Sequence, residues 1–388
     1  MTAPRHAEVA GAGIAGLFAA SVLAQRGWTV RVHERNDSLR EIGAGIVVWQ
    51  NGVNALREIG ALEEVVSGAD RVDYWQLRDE RNRLMQDSWM LPGTSEAYAV
   101  LRTRLHQALA TRAQQLDVEI VTGSPVTGAT ADGELVLDDG RVLQADLVVG
   151  ADGVNSKVRE SLELTQKVTD LRDGCGRHLI PRLPDDPVNT MIERWAGARR
   201  IGIFPCSPES VYVYMCCPAK DELGREQTHD RATWIDSFPE FRGYIERIPD
   251  GGRWASFSDA VARRWSSGRV AVIGDASHAM SPNLGQAACV GMTNAVALGQ
   301  ALDGFEDITA ALDAWERSER SVTDQTQRYS RFYGWIGTHW PRLALDARSA
   351  LIWALAHSAR AQKRINVASR HVPNVTVATT AGGRGSRP

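Results

Sequence analysis

The chain has 388 residues, a formal charge of −3, and 43% hydrophobic against 23% charged residues. At roughly 150 residues per domain this length suits two sizeable lobes, and the mixture excludes disordered and fibrous classes. The missing basic excess argues against a nucleic-acid partner, and no run of about 18 apolar residues offers a transmembrane segment. Five irregularly spaced cysteines make no disulfide framework. Without CxxC or HExxH no metal site is expected, and a reducing, cytoplasmic setting follows as the default. Arg5-His6 and the stretch Val9–Ala24 have the outline of a secretory signal, but glycines at turn spacing speak for another element.

In chain order, His6–Ala10 reads as a short strand. Gly11, Gly13 and Gly16 then form GxGxxG, and Ile14, Leu17, Phe18 and Val22 share one face of a helix reaching Arg26. Gly27 ends the helix, and Val30–His33 alternates as a second strand. Glu34 stands 23 residues past Gly11, near the spacing of a carboxylate that binds a ribose diol. Such glycines let the backbone approach a pyrophosphate, whose charge the helix N-terminal amides stabilise. The unit predicts a dinucleotide site without saying which dinucleotide.

Asp70–Trp89 has strand character with interrupted alternation. Asp146–Gly150 reads as a buried strand, followed by a tight turn at Asp152-Gly153 and a helix start near Ser156. Arg200–Phe204 and Val211–Met215 alternate cleanly and predict a hairpin reversing over Pro205–Pro208, with one parity facing a cavity. Arg269–Ile273 is another apolar strand, running into Gly274-Asp275. Pro282, Gly285, Gln286 and Ala287 follow, opening a small-residue helix to about Leu302. A carboxylate past a strand end, beside a proline–glycine helix start, can hold a polyol while the helix amides face an anion. Leu343, Leu351, Ile352, Leu355 and Ala359 give residues 341–366 an amphipathic helical pattern. The tail from Val372 has no apolar repeat and is expected to be disordered.

These motifs, in this order and spacing, resemble those of the class A flavoprotein monooxygenases, the single-component FAD aromatic hydroxylases, over roughly residues 6–340. Leu39–Ile46, Trp49–Gly52 and Asp275–Pro282 are most similar to the 2-methyl-3-hydroxypyridine-5-carboxylate oxygenases; salicylate- and 6-hydroxynicotinate-type hydroxylases come next. The resemblance implies an α/β fold: a Rossmann-like (GR2-type) FAD-binding domain from residues 1–70, 100–170 and 260–340. An interleaved, mostly antiparallel substrate sheet would come from 71–99 and 171–259, with a C-terminal helix over 341–371 and a tail over 372–388. That helix could pack on the FAD lobe, form a subunit contact in a homodimer, or lie on a membrane surface.

The same resemblance places Gly11, Gly13, Ile14, Ala15 and Gly16 around the FAD pyrophosphate, Glu34 on the adenosine ribose and Arg35 on the adenine side. Gly45 would join the cofactor site, and Arg102 would reach the phosphate–ribityl region. Asp152 would serve cofactor contacts and nicotinamide use, and Asp275 a ribityl hydroxyl. Pro282, Gly285, Gln286 and Ala287 would line the flavin ring, Pro282 also facing the substrate. Arg200 and Tyr212 are the candidates for gripping an acidic aromatic substrate, by a forked guanidinium and an orienting phenol. Val47 and Phe257 stand where the relatives carry hydroxylated aromatic residues, which makes this pocket less polar. His278 reads as a packed residue rather than a catalyst.

The implied reaction uses NADH or NADPH to reduce FAD. Dioxygen then adds at the flavin C4a position, and the C4a-hydroperoxide hydroxylates a small aromatic or heteroaromatic ring, with ring opening an option. The cofactor carries this chemistry, so no protein acid–base triad is required. Baeyer–Villiger-type oxygenation is the alternative outcome and a non-catalytic dinucleotide-binding module the remote one.

Overall fold

The computed structural model describes residues 4–40, 43–89, 96–225, 231–252 and 254–375. Its first sheet has five parallel strands in the order Val270–Val272, Leu147–Gly150, His6–Ala10, Thr29–His33 and Glu119–Val121. Ser266–Ser267 adds an antiparallel edge. Parallel strands are covered on both faces and read as continuous apolar runs, and Ala7, Val9, Leu147–Val149 and Val270–Val272 are accordingly buried. Helix α1 (Ile14–Gln25) connects His6–Ala10 to Thr29–His33, and Gly27, at φ +82°, turns the chain back. The expected single apolar face of α1 undercounts its burial. Ala19, Ala20 and Leu23 are buried as well, because α2 (Ala287–Gly304) and the helix Arg102–Gln115 also pack on it.

The second sheet has seven strands, in the order Trp254–Ala262, Thr165–Pro181, Ser210–Pro218, Arg199–Ser207, Thr190–Ala196, Tyr74–Arg78 and Leu84–Trp89. All neighbours are antiparallel except Thr190–Ala196 with Tyr74–Arg78. The predicted hairpin is present, but its reversal is at Pro208-Glu209. Pro205 and Cys206 remain in the strand, where the pairing register slips between Pro205 and Ser207. A proline at such an irregularity removes no ladder bond, which is why it does not end the strand.

Period two is realised on both faces. Ile201, Ile203, Val211, Val213 and Met215 form a core with Trp234, Phe238, Phe241 and Ile245. Arg200, Gly202 and Phe204 pair with Cys216, Tyr214 and Tyr212 on the opposite parity, toward the first sheet. Gly202 is required there, because a Cβ would stand 2.0 Å from Cζ of Tyr214.

Three further helices close the molecule: α3 (Ile308–His339), α4 (Leu345–His357) and α5 (Ala359–Ile365). The single C-terminal helix expected from the pattern is thus two helices. Its apolar side packs on the second sheet and on α3, where Ile352 meets Leu77, Met85, Trp195 and Ile336. Val375 is not loose: its N–H donates to Gln300 Oε1 at 3.3 Å and its side chain packs on the main core. The rest of the tail lies outside the described residues. No helix among the described residues is long and apolar enough to cross a membrane.

Candidate functional site

The strand order leaves His6–Ala10 in two directions, toward Thr29–His33 on one side and Leu147–Gly150 on the other. Open parallel sheets bind ligands at such a switch point, beyond the carboxyl ends of the strands. Gly11, Ala151-Asp152 and Gly274-Asp275 all emerge there, each from the end of an adjacent strand. Together they line a cavity of about 720 Å³ that runs from this edge to the inner face of the second sheet.

The dinucleotide end is built by close backbone contacts. Gly11 has φ +99°, and a Cβ on it would sit 2.6 Å from the Ala151 carbonyl oxygen. Gly16 is off the cavity: a Cβ there would lie 1.9 Å from the Gly11 carbonyl oxygen, so its smallness lets α1 approach the strand rather than touch a ligand. Gly13 is the N-cap of α1 with no side-chain cap, and Ile14 and Ala15 line the cavity. The amide of Ala12 donates to Glu34 Oε2 at 3.2 Å, and that of Asn36 to Oε1 at 3.0 Å. Arg35, Arg40, Gly45 and Arg102 line the same region; Gly43, at φ +148°, lets the chain pass over the Arg102 side chain.

Asp152 Oδ2 accepts from the amides of Lys157 and Val158 at 2.6 and 3.2 Å, capping the short helix that follows. Asp275 opens the helix Asp275–His278 and faces the cavity. Pro282 to Leu284 make a 3-10 turn ended by Gly285 at φ +63°, and Gln286 is the N-cap of α2. The Trp49 indole donates to the Gly285 carbonyl at 3.1 Å, and Asn51 Nδ2 to Gln286 Oε1 at 3.3 Å. Pro282, Gly285, Gln286 and Ala287 line the cavity as one run.

The FAD implied by the sequence fits these residues. A Cβ on Gly13 would meet no atom within 4 Å, so the uncapped first turn of α1 opens on free space that a diphosphate can fill. The first turn of α2 is likewise uncapped and carries no acid. Asp152 Oδ1 is buried with no partner, an acceptor awaiting a donor.

The opposite wall is aromatic. Phe204, Tyr212 and Tyr214 line it, with Trp49 and Trp75 nearby. Phe204 and Tyr212 meet edge to face at 4.8 Å, and the Tyr212 ring rests on the backbone of Gly45. Burial pushes the phenols of Tyr212 and Tyr214 above their usual range, so both stay protonated. Val47 is buried in this wall, but Phe257 is not part of it. It packs behind, on Cys175, Cys216 and Tyr214, because its strand is the outermost of the sheet.

Arg200 lines the cavity, yet its guanidinium is engaged. Nη2 donates to Asn283 Oδ1 at 2.7 Å, Nη1 lies 3.8 Å from Glu193 Oε1, and the group sits over the Tyr333 ring. Gly337 makes room for it, since a Cβ there would be 2.6 Å from Arg200 Cδ. Burial alone would lower its pKa, but Cys216, Glu193, Tyr333 and Asp173 hold it raised. Glu193 in turn accepts from the Trp195 indole at 2.7 Å and the Tyr333 hydroxyl at 3.3 Å.

Sequence reasoning missed Glu193, Arg177, Tyr214, Tyr333 and Asn283. Asn283 sat inside the Pro282–Ala287 run, and Tyr214 shared the parity of Tyr212; nothing local marks the other three. His278 is packed as expected: buried, with Nε2 accepting from Asn294 Nδ2 at 3.0 Å and its pKa lowered to about 4 by burial.

A sequence profile described as "FAD binding domain" matches residues 6–328. A Rhodococcus erythropolis protein provisionally named a 2-heptyl-3-hydroxy-4(1H)-quinolone synthase is 40% identical over 358 residues, covering 91% of this chain and 93% of its own. The 2-heptyl-3-hydroxy-4(1H)-quinolone synthase of Mycobacteroides abscessus is 36% identical over 340 residues, covering 86% and 91%. Among solved structures, 2-methyl-3-hydroxypyridine-5-carboxylic acid oxygenase, described as a tetrameric form, superposes with a TM-score of 0.84 at 33% identity. That match covers 95% of this chain and 97% of the other. The pyridine-ring resemblance read from the sequence is thus found in the structure; the quinolone relatives are an addition to it.

Proposed function

Since the chain belongs to the FAD-binding-domain family and is an FAD-dependent monooxygenase of the aromatic-hydroxylase type, we propose that it hydroxylates a neutral N-heteroaromatic ring of the 4-quinolone kind, with NADH or NADPH as reductant. Bound FAD, once reduced by NADH or NADPH, would activate dioxygen for transfer of one oxygen atom to the ring. Gly11, Gly13, Ile14 and Ala15 hold its diphosphate, Glu34 its ribose and Arg35 its adenine side. Arg102 and Asp275 hold the ribityl chain. Gly45, Pro282, Gly285, Gln286 and Ala287 shape the ring site, and Asp152 stays close to the cofactor.

The observation that carries the choice of ring is the engagement of Arg200. Its charge is countered by Glu193 and its Nη2 donates to Asn283, while Nε is buried without an acceptor. This disfavours the carboxylate-gripping role read from the sequence and makes Arg200 a brace between the sheet and the Pro282–Leu284 turn. The groups left for a substrate are the Tyr212 and Tyr214 phenols, the Trp75 indole N–H, which is buried without an acceptor, and the Arg177 guanidinium. These suit the single ring oxygen of a quinolone. Arg177, also on the cavity wall, supplies positive potential for that oxygen as it gains negative character. The aromatic wall of Phe204, Tyr212 and Tyr214 stacks the ring and excludes water.

A direct comparison tests this. NADH and NADPH oxidation by the holoenzyme is measured with a 4(1H)-quinolone and with 6-hydroxynicotinate, with product masses. Quinolone-stimulated oxidation with a gain of one oxygen atom is expected. Efficient turnover of the carboxylate alone would overturn the choice of ring.

A further inference from the structure

Two thiols line the ring site and take no part in the proposed hydroxylation. Of the five cysteines, Cys175 and Cys216 border the cavity and Cys206, Cys217 and Cys289 do not. Cys175, on strand Thr165–Pro181, stands directly opposite Cys216 on Ser210–Pro218, and Cys216 stands opposite Arg200 on the next strand. Side chains alternate along a strand, so Arg177 shares the face of Cys175. Its guanidinium lies over the Phe257 ring, on which both thiols pack. As a thiol, Cys175 donates to the Gly176 carbonyl oxygen at 3.0 Å; its sulfur is also within hydrogen-bonding reach of the Cys216 thiol. Residues opposed in this way have Cα atoms about 4.5–5.5 Å apart, inside the range of about 4.4–6.8 Å that a disulfide spans.

The surroundings treat the two members differently. Burial works to raise the Cys175 thiol, but the hydrogen bond from Cys216 and the charges of Arg177 and Arg200 hold it lowered. Cys216 is pushed up by that same bond and by burial. Burial drives the three cysteines off the cavity up to about 12. Cys175 is thus favoured as the thiolate, the nucleophilic form, while Cys216 keeps its proton. The pair is nearly closed to bulk solvent, at 2% and 5% exposed. An oxidant therefore reaches it through the ring site and must be small.

We propose that Cys175 and Cys216 are a redox-active dithiol of the ring site, oxidised by hydrogen peroxide that reduced FAD forms from dioxygen when no ring takes the oxygen. The Cys175 sulfur attacks one peroxide oxygen, the O–O bond breaks, and the departing hydroxide takes up the proton that Cys175 gave up. The Cys216 sulfur then displaces the hydroxyl of the resulting Cys175 sulfenic acid. The S–S bond forms as the S–O bond breaks, and the Cys216 proton leaves with that hydroxyl as a second water. In sum, two thiols lose two electrons and two protons, and one peroxide becomes two waters. The inference rests on a flavin that reacts with dioxygen and not on which ring is the substrate.

The test counts alkylatable thiols by intact mass after acid quenching and unfolding. With a few equivalents of hydrogen peroxide on the FAD-loaded protein, the count should fall from five to three, and a peptide map should link Cys175 to Cys216. Dithiothreitol should restore all five. Cys216→Ser should stop at a single oxygen on Cys175, trapped by dimedone. Cys175→Ser should lose thiols at least about tenfold more slowly than the parent, and flavin absorbance on both variants checks that the fold is retained. Photoreducing the bound flavin without a ring and then admitting air should give the same link with no added peroxide. An unchanged count of five in the parent, a link through Cys206, Cys217 or Cys289, or thiol loss from Cys175→Ser at the parent rate overturns the pair. A link formed by added peroxide but never by the reoxidised flavin overturns the flavin as the source of its oxidant.

Discussion

Removing both members of the Arg200–Glu193 pair should cost less than the sum of removing each. The two side chains are 2% and 6% exposed and 3.8 Å apart. At an effective dielectric of about 20 that separation is worth about 4 kcal/mol of attraction, offset by desolvation of both ions. Arg200→Met leaves Glu193 buried with only the Trp195 and Tyr333 donors. Glu193→Gln keeps an acceptor for those donors but leaves the guanidinium with Asn283 and the Tyr333 ring, without its buried counter-charge. Each single substitution should therefore destabilise by about 3–5 kcal/mol. The double variant should fall short of their sum by about 3 kcal/mol, since it leaves no unpaired buried charge. The assay is the urea midpoint of the four FAD-loaded proteins by tryptophan fluorescence, with the m-value checked for constancy. Additivity to within about 0.5 kcal/mol would refute the pairing.

At Gly13, folding and cofactor binding should respond with opposite signs. Gly13→Asp has room for its side chain and supplies the missing N-cap of α1, so the apoprotein should be unchanged or more stable by a few tenths of a kcal/mol. The same carboxylate would face the diphosphate, and FAD affinity should drop at least 100-fold. A flavin fluorescence titration beside an apoprotein melt reads both, and full FAD retention would remove the diphosphate from this turn.

Burial lowers His178 and His278 to about 4, against about 6.5 in an unfolded chain. The folded protein keeps both neutral, so their full contribution is present above pH 6.5. It is lost as pH falls toward 4, where the unfolded chain binds more protons, by up to about 1.4 kcal/mol per pH unit for each histidine. Urea midpoints between pH 7 and 4.5 should show a smaller slope for His178→Leu than for the parent; equal slopes would contradict the burial argument.

What was legible in the sequence was local and periodic. The GxGxxG turn, the strand ending at Gly150, the Gly274-Asp275 strand end and the alternation of Val211–Met215 each depend on neighbours within a few residues. The Pro205–Pro208 segment predicts the reversal two residues too early, because only a register slip, not a strand end, accompanies Pro205. Glu193 was invisible because its meaning comes from Arg200 and Tyr333, the latter 140 residues away. Gly16 looked like a ligand contact because its motif does not say which glycine faces the helix–strand contact. For α4, the pattern revealed an apolar face but not the surface opposite it, and that surface is the second sheet rather than the first.

The three cofactor turns share one further property, which concerns how the chain comes to fold. The central strand His6–Ala10 acquires its neighbour Leu147–Gly150 only after residues 11–146 have been synthesised. The third turn waits for Val270–Val272. More than two-thirds of the polypeptide must leave the ribosome before the switch-point crevice is complete. Such non-local pairing is slow, and an FAD held by all three turns, as proposed, can select only the finished arrangement. It would then act late, stabilising an assembled fold by mass action rather than nucleating it. A chain ending before Val270 would be translated without ever acquiring a flavin.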